Sequence, residues 1–483
     1  MEKSKSLRPK EVFDQFAVIN GIPRPSKREE RMIAYLKDWG ESRGLETKVD
    51  EAGNVRISKK ATPGYEGSRG IILQSHMDMV CDKLVDVEFD FDKDAIQTYI
   101  DGDWMGARGT TLGADDGIGV AMELAILDSN EIEHGPIQCV FTRDEETGLT
   151  GANALKPGFM TGDWLINLDS EDEGQIFVSC AGGRNSNIKF RFLRESAPTD
   201  YFFAEGWLKG LKGGHSGDDI EKKRANAIKL LGRFLYLEMC KTDLRISRID
   251  SGKMHNAIPR DGRFRIAVPW SFKEQLKADW NVFSHQVSEE YHVSEGSMEF
   301  GMESAEGESV IPKELSDRLI RALQAVDNGV FAICQEEELG GMVETSSNIA
   351  SIETGEDVIR IVASQRSNVM SQLDNQCNTI KALFELAGAE VEQSDGYPAW
   401  KMNSDSELTK LVVDTYRQLF GKDPIVRGIH AGLECGLFSE RYPELDMVSL
   451  GPTLRNVHTP DEKIYIPSVE MVWNHLLLIL KSV

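Results

Sequence analysis

The sequence predicts an α/β domain, a central mixed sheet flanked by helices and assembled from both ends of the chain, with an α+β domain inserted in its middle. Three observations carry this. Short continuous apolar runs alternate with helical patterns near the start of the chain, as expected for strands covered on both faces. From about Arg184 the strands instead alternate apolar and charged residues, as in NIKFRF (187–192) and RFRIAV (263–268), the pattern of a sheet with one wet face. After about Asp395 the first texture returns. The predicted boundaries are 1–184 and 396–483 for the outer domain and 185–395 for the insert.

In chain order, Lys27–Gly44 carries Met32, Ile33, Leu36 and Trp39 at helical spacing. Strands follow at Gly70–Ser75 (GIILQS), Pro136–Thr142 (PIQCVFT) and Asp163–Leu168 (DWLINL), with an amphipathic helix at Gly117–Asp128 between them. Inside the insert, helices are predicted at Ala225–Leu237, Lys313–Val326 and Ser371–Leu386. Beyond it come a helix at Ser406–Leu419, a strand at Leu445–Leu450 and a closing helix from Val469. The insert also echoes itself: HNAIPRDGRFRIAV (255–268) and SNIASIETGEDVIRIVA (347–363) each follow a helix. Two hairpins of shared turn chemistry would produce the same echo. The sharper reading is a duplicated unit, one half standing in for a partner subunit's.

Composition narrows the function. The 483 residues include 79 acidic and 55 basic side chains, a net charge of −24. That surplus disfavours nucleic acid and anionic membranes as partners, because both are held by clustered cations. No run approaches the ~20 apolar residues of a membrane span, and MEKSKSLRPKEVF at the start has no apolar signal core. Seven cysteines (Cys81, Cys139, Cys180, Cys240, Cys334, Cys377, Cys435) are scattered without a CxxC pair, as befits reduced thiols. A soluble cytoplasmic protein is expected.

The chemistry gathers just after the predicted strands. GIILQS ends in His76-Met77-Asp78, PIQCVFT leads into Asp144-Glu145-Glu146, and DWLINL ends in Asp169-Ser170-Glu171. Gly113-Ala114-Asp115-Asp116 opens the next helix, and His458 lies in the loop after the last strand. Open α/β sheets bind ligands outside the carboxyl ends of their strands. Taken singly, each piece has a bland reading: a hydrogen-bonded histidine, a solvated acidic loop, a helix cap. Together they are harder to dismiss, since the chain has only nine histidines. Mixed histidine and carboxylate donors suit zinc or another divalent transition ion. There are more donors than one tetrahedral ion needs, so two ions ~3.5–4 Å apart are inferred, sharing one activated water. One of the paired glutamates then stays free to act as general base.

The stretches SHMDMV, GTTLGADDGIGVA, FTRDEETGLTGA, LINLDSED, GGHSG, HNAIP and NVHTPDE together resemble the co-catalytic zinc peptidase family that includes carboxypeptidase G, aminoacylase and succinyl-diaminopimelate desuccinylase. Within it they are most similar to bacterial dipeptidases acting on Xaa-His dipeptides, carnosine among them. The resemblance spans about residues 70–460 and no ligand of the family pattern is missing. It implies a zinc-peptidase-type catalytic domain with an inserted lid. It further implies that Asp115 bridges two metals, His76 and Asp169 complete one site, and Glu146 and His458 the other. Glu145 would be the base and Asp78 would hold His76 in its ligating tautomer. Three carboxylates against four positive charges leave one positive charge, which suits a bound hydroxide.

In the insert, His215, Asn256 and Arg366 are the substrate-facing candidates. The resemblance implies a lid histidine for the tetrahedral oxyanion and Asn and Arg side chains for the substrate carboxylate. IHAGLECG (429–436) departs from the family's Asp-containing loop, which leaves His430 and Glu434 without assigned roles. The expected cofactor is a pair of divalent ions, Zn²⁺ first and Mn²⁺ or Co²⁺ as alternatives. The expected partner is a dipeptide, and the chain a monomer or homodimer. An N-acyl amino acid amidohydrolase would use the same metal centre with a different lid, and a non-catalytic descendant would have lost a ligand or the base.

Overall fold

In the computed structural model, which describes residues 7–307, 309–336, 339 and 341–483, the predicted apolar runs form one sheet. The chain divides into two units. The first comprises residues up to Ser179, Trp400–Gly428 and Leu433–Val483; the second comprises Cys180–Ala399 and Ile429–Gly432. The insert therefore begins and ends a few residues from the predicted 185 and 395. It also includes the short segment 429–432, which lies within the predicted outer domain. The cause is non-local. The Ala181 N–H donates to the carbonyls of Ile429 and Ala431, a pairing between residues far apart in sequence.

The sheet of the first unit runs Glu46–Val49, Val55–Lys59, Ile137–Thr142, Ile71–His76, Trp164–Asn167, Asp446–Ser449, Gln175–Cys180 and Ile425–Ile429. Its middle four strands are parallel. Ile71–His76 is buried at every position, as a central strand with both faces covered should be. The helix predicted at 117–128 spans Ala114–Asp128 and packs on that strand. It is not amphipathic: every residue from Ala114 to Leu127 is buried, because the helix is covered on all sides. Asp115 and Asp116 have non-helical backbone angles, so regular helix begins beyond the metal-ligand candidate. A smaller antiparallel sheet joins Leu454–Arg455, Lys463–Tyr465, Trp104–Ala107 and Thr98–Asp101. His458 lies in the loop of its hairpin 454–465.

The second unit is a nine-stranded sheet covered by helices. Its core is centred on Phe234, Phe264, Trp280 and Phe283. The strands Arg245–Ser251 and Val343–Thr354 meet edge to edge at Ser251 and Ile352. Outward from this seam one half runs Arg245–Ser251, Gly262–Pro269, Tyr201–Lys209, Glu299–Ser304. The other runs Val343–Thr354, Val358–Ser367, Gly182–Arg191, Glu390–Gln393. Apart from the ninth strand, Gly329–Ile333, which pairs with Val343–Thr354 off this path, each half follows the same chain order, strand, helix, two strands, helix, strand, with the same spatial order. The sequence echo falls on corresponding hairpins of the two halves.

Candidate metal centre

The parallel strands end where the sequence concentrates its donors. His76 closes Ile71–His76 and is 1% exposed. Its Nε2 faces Asp115 Oδ1 at 3.1 Å and Asp169 Oδ1 at 3.5 Å. The second oxygen of Asp115 faces His458 Nε2 at 3.1 Å, and His458 Nε2 lies 3.0 Å from Glu146 Oε2. Asp115 thus stands between two histidines with one oxygen toward each. His76, Asp115 and Asp169 bring donor atoms within 4.8 Å of one another, and so do Asp115, Glu146 and His458. Glu145 also approaches His76 and Glu146.

Asp78 organises this cluster from below. It lies 3.3 Å from His76 Nδ1 and accepts the Glu145 N–H at 3.0 Å, the Glu146 N–H at 3.3 Å and the Ser26 hydroxyl at 2.8 Å. Asp144, at φ 50°, turns the chain sharply after its strand, so that Glu145 and Glu146 open a one-turn helix. The buried carboxylate of Glu29 caps that turn by accepting the Asp144 N–H at 3.0 Å.

Electrostatics shows a cluster short of positive charge. Burial pushes Asp169 up to about 7, with Asp115 adding to the push. Burial also raises Glu145 well above the carboxylate range, reinforced by Asp169 and Glu146, and it raises Glu146 beside Asp115. For His76, burial opposes the cation, but Asp169 and Asp115 outweigh it and raise the ring well above its usual value. His458 is likewise raised to about 11 by its hydrogen bonds to Asp115 and Glu146, against burial. The acids around both rings favour positive charge there, the demand that metal cations would meet. Glu146 Oε1 is buried without a hydrogen-bond partner, an orphaned acceptor that costs free energy unless a cation meets it. The donor set fits divalent ions.

The lid candidates lie in the second unit. His215 Nδ1 is 3.3 Å from Asp218, and its Nε2 is 3.5 Å from Arg366 Nη2. Arg366 is 6% exposed and donates to the Tyr397 hydroxyl at 3.0 Å. Asn256 sits on the neighbouring turn, its carbonyl accepting the Ser216 N–H at 2.8 Å. His430 turns its Nε2 to the Ser346 hydroxyl at 2.7 Å, and burial, with Arg366 adding, pushes it down to about 3. Glu434 belongs to the first unit, where its Oε2 accepts from Gln74 and Thr142 at 2.7 Å each. Sequence reasoning gave no role to Arg24, Glu29, Tyr397 or Glu462. Only Glu462 had a signal, its place four residues beyond His458 in NVHTPDE.

The chain is 40% identical over 484 residues to the cytosol non-specific dipeptidase of Escherichia coli, covering 100% of this chain and 99% of that protein. It superposes on the crystal structure of aminoacylhistidine dipeptidase from Vibrio alginolyticus with TM-score 0.89 and 41% identity, covering 100% and 98% of the two chains. A tripeptidase from Staphylococcus aureus shares the fold at TM-score 0.58 and 17% identity, covering 99% of each chain. The family model for peptidase family M20/M25/M40 matches residues 72–482, a span that contains every donor of the cluster. The chain belongs to peptidase family M20/M25/M40.

Proposed function

We propose that this protein is a metal-dependent dipeptidase of the cytosol, acting on Xaa-His and other dipeptides. The reading rests on family membership and on the two full-length relatives, both dipeptidases by name. The observation that carries its chemistry is the placement of Asp115, one oxygen toward His76 and the other toward His458. That placement suits a bridging carboxylate. His76, Asp115 and Asp169 would hold one ion, and Asp115, Glu146 and His458 the other, with Zn²⁺ first and Mn²⁺ or Co²⁺ as alternatives. The ions would supply Lewis acidity, polarising the scissile carbonyl and lowering the pKa of a shared water.

Glu145, not needed as a ligand, takes a proton from the attacking water and passes it to the leaving amine. Asp78 orients His76 and holds the backbone of both glutamates. His215 is assigned to the oxyanion, and Asn256 and Arg366 to the substrate carboxylate, a clamp that a free dipeptide terminus requires. The deciding experiment is a panel of dipeptides, β-Ala-His included, run beside N-acyl amino acids on metal-free protein reloaded with defined ions. Cleavage of dipeptides is expected. Cleavage of acyl amino acids alone would make the protein a deacylase.

A further inference from the structure

The loops that carry Asp115 and His458 are held together by a residue outside both donor sets. Glu462 is 3% exposed, and its carboxylate sits in a concavity of four backbone N–H groups. One oxygen accepts from Leu112 at 2.7 Å and Gly113 at 3.0 Å; the other accepts from Ala114 at 2.8 Å and Asp115 at 3.4 Å. Successive N–H groups can converge in this way because Gly113 is left-handed, at φ 68°. A Cβ there would lie 2.5 Å from Arg24 Nη2. Arg24, itself buried, continues the tie, donating to the carbonyls of Gly113 and, at 2.8 Å, Asp78. The loops bearing His76, Asp115 and His458 are therefore linked in series by one buried cation and one buried anion.

We propose that Glu462 is a positioning residue of the metal centre, setting the Asp115 carboxylate against His458. The proposal rests on the two-ion reading above. The sites depend on this tie unequally. His76 ends one central strand and Asp169 lies just beyond another, so that site keeps two donors on the sheet when the tie is cut. The other site keeps only Glu146 near a strand end and otherwise relies on His458, whose loop is joined to the Asp115 segment by Glu462. Loss of Glu462 should therefore weaken the second ion selectively.

The test is Co²⁺ titration of the metal-free full-length protein, followed by its visible absorption, on wild type, Glu462→Gln and Glu462→Asp, with folding checked by circular dichroism. Gln keeps one acceptor oxygen. Asp keeps the charge but reaches fewer of the four N–H groups, and it keeps the question open to test should Gln not fold. Wild type is expected to take up two Co²⁺. In both variants the first Co²⁺ should bind as in wild type and the second about 10–100-fold more weakly. Unchanged affinities, or equal weakening of both ions as general loosening would give, overturn the positioning role. Wild type taking up fewer than two ions removes the two-ion reading and this proposal with it, a failure distinguished by its presence in the unmutated protein.

Discussion

Replacing Asp78 by Asn removes one negative charge from a wholly buried position and turns one oxygen into a donor. One carboxylate oxygen lies 3.3 Å from His76 Nδ1 and accepts the Glu145 N–H; the other accepts from the Ser26 hydroxyl and the Glu146 N–H. The new amide nitrogen should settle on the Ser26 side, because a hydroxyl can rotate to accept from it and a backbone N–H cannot. That leaves one orphan, the Glu146 N–H, whose lost partner costs about 1–3 kcal/mol. Urea unfolding of the metal-free variant should show a loss of that size. Removing the charge behind His76 should also weaken metal binding 10–100-fold, or about 1.4–2.7 kcal/mol. Competition with a chelator measures the second effect separately from the first. A metal affinity equal to wild type would refute the claim that Asp78 orients His76, leaving it only a brace for the glutamates.

Glu145→Gln should retain both ions and lower kcat by about 10²–10⁴, the usual worth of a general base; loss of an ion would make Glu145 a ligand instead. His215→Ala should lower kcat and leave metal content unchanged, and an unaltered kcat would end its assignment to the oxyanion. Burial pushes the Glu434 carboxyl from 4.5 up to about 7, so the folded protein keeps a proton there that the unfolded chain releases. Its contribution to stability is then lost as pH rises from about 4.5 to 7, amounting to about 3 kcal/mol at 1.36 kcal/mol per pH step. Glu434→Gln cannot titrate, so the stability of metal-free wild type relative to this variant should fall by that amount between pH 4.5 and 8. A difference independent of pH would show that Glu434 does not hold the proton.

Much of the fold was legible because burial leaves a local periodic trace. Ile71–His76, Ile137–Thr142 and Trp164–Asn167 each lie within two residues of their predicted ends, since strands covered on both faces read as unbroken apolar runs. The candidate donors were legible for a related reason: His76 ends a central strand, Asp169, Glu145 and Glu146 lie within four residues of the ends of others, and strand ends are where an open sheet places its site. The helix at Ala114–Asp128 was located but misread as amphipathic. Its Asp115, Asp116 and Glu123 are buried, and sequence cannot separate a polar residue facing water from one facing a buried partner.

The sequence by itself determined which elements form and which residues offer donors, because backbone propensity and side-chain chemistry are properties of short segments. Only the tertiary structure decided which donors meet: Asp115 and His458 are 343 positions apart, and Leu112 and Glu462 are 350 apart. It also decided that 429–432 joins the inserted unit, and that Glu462 seats its carboxylate in the N–H groups of the Asp115 loop. Such pairings arise where distant segments exclude water together, and a buried carboxylate then persists only where backbone donors or cations have been brought to meet it.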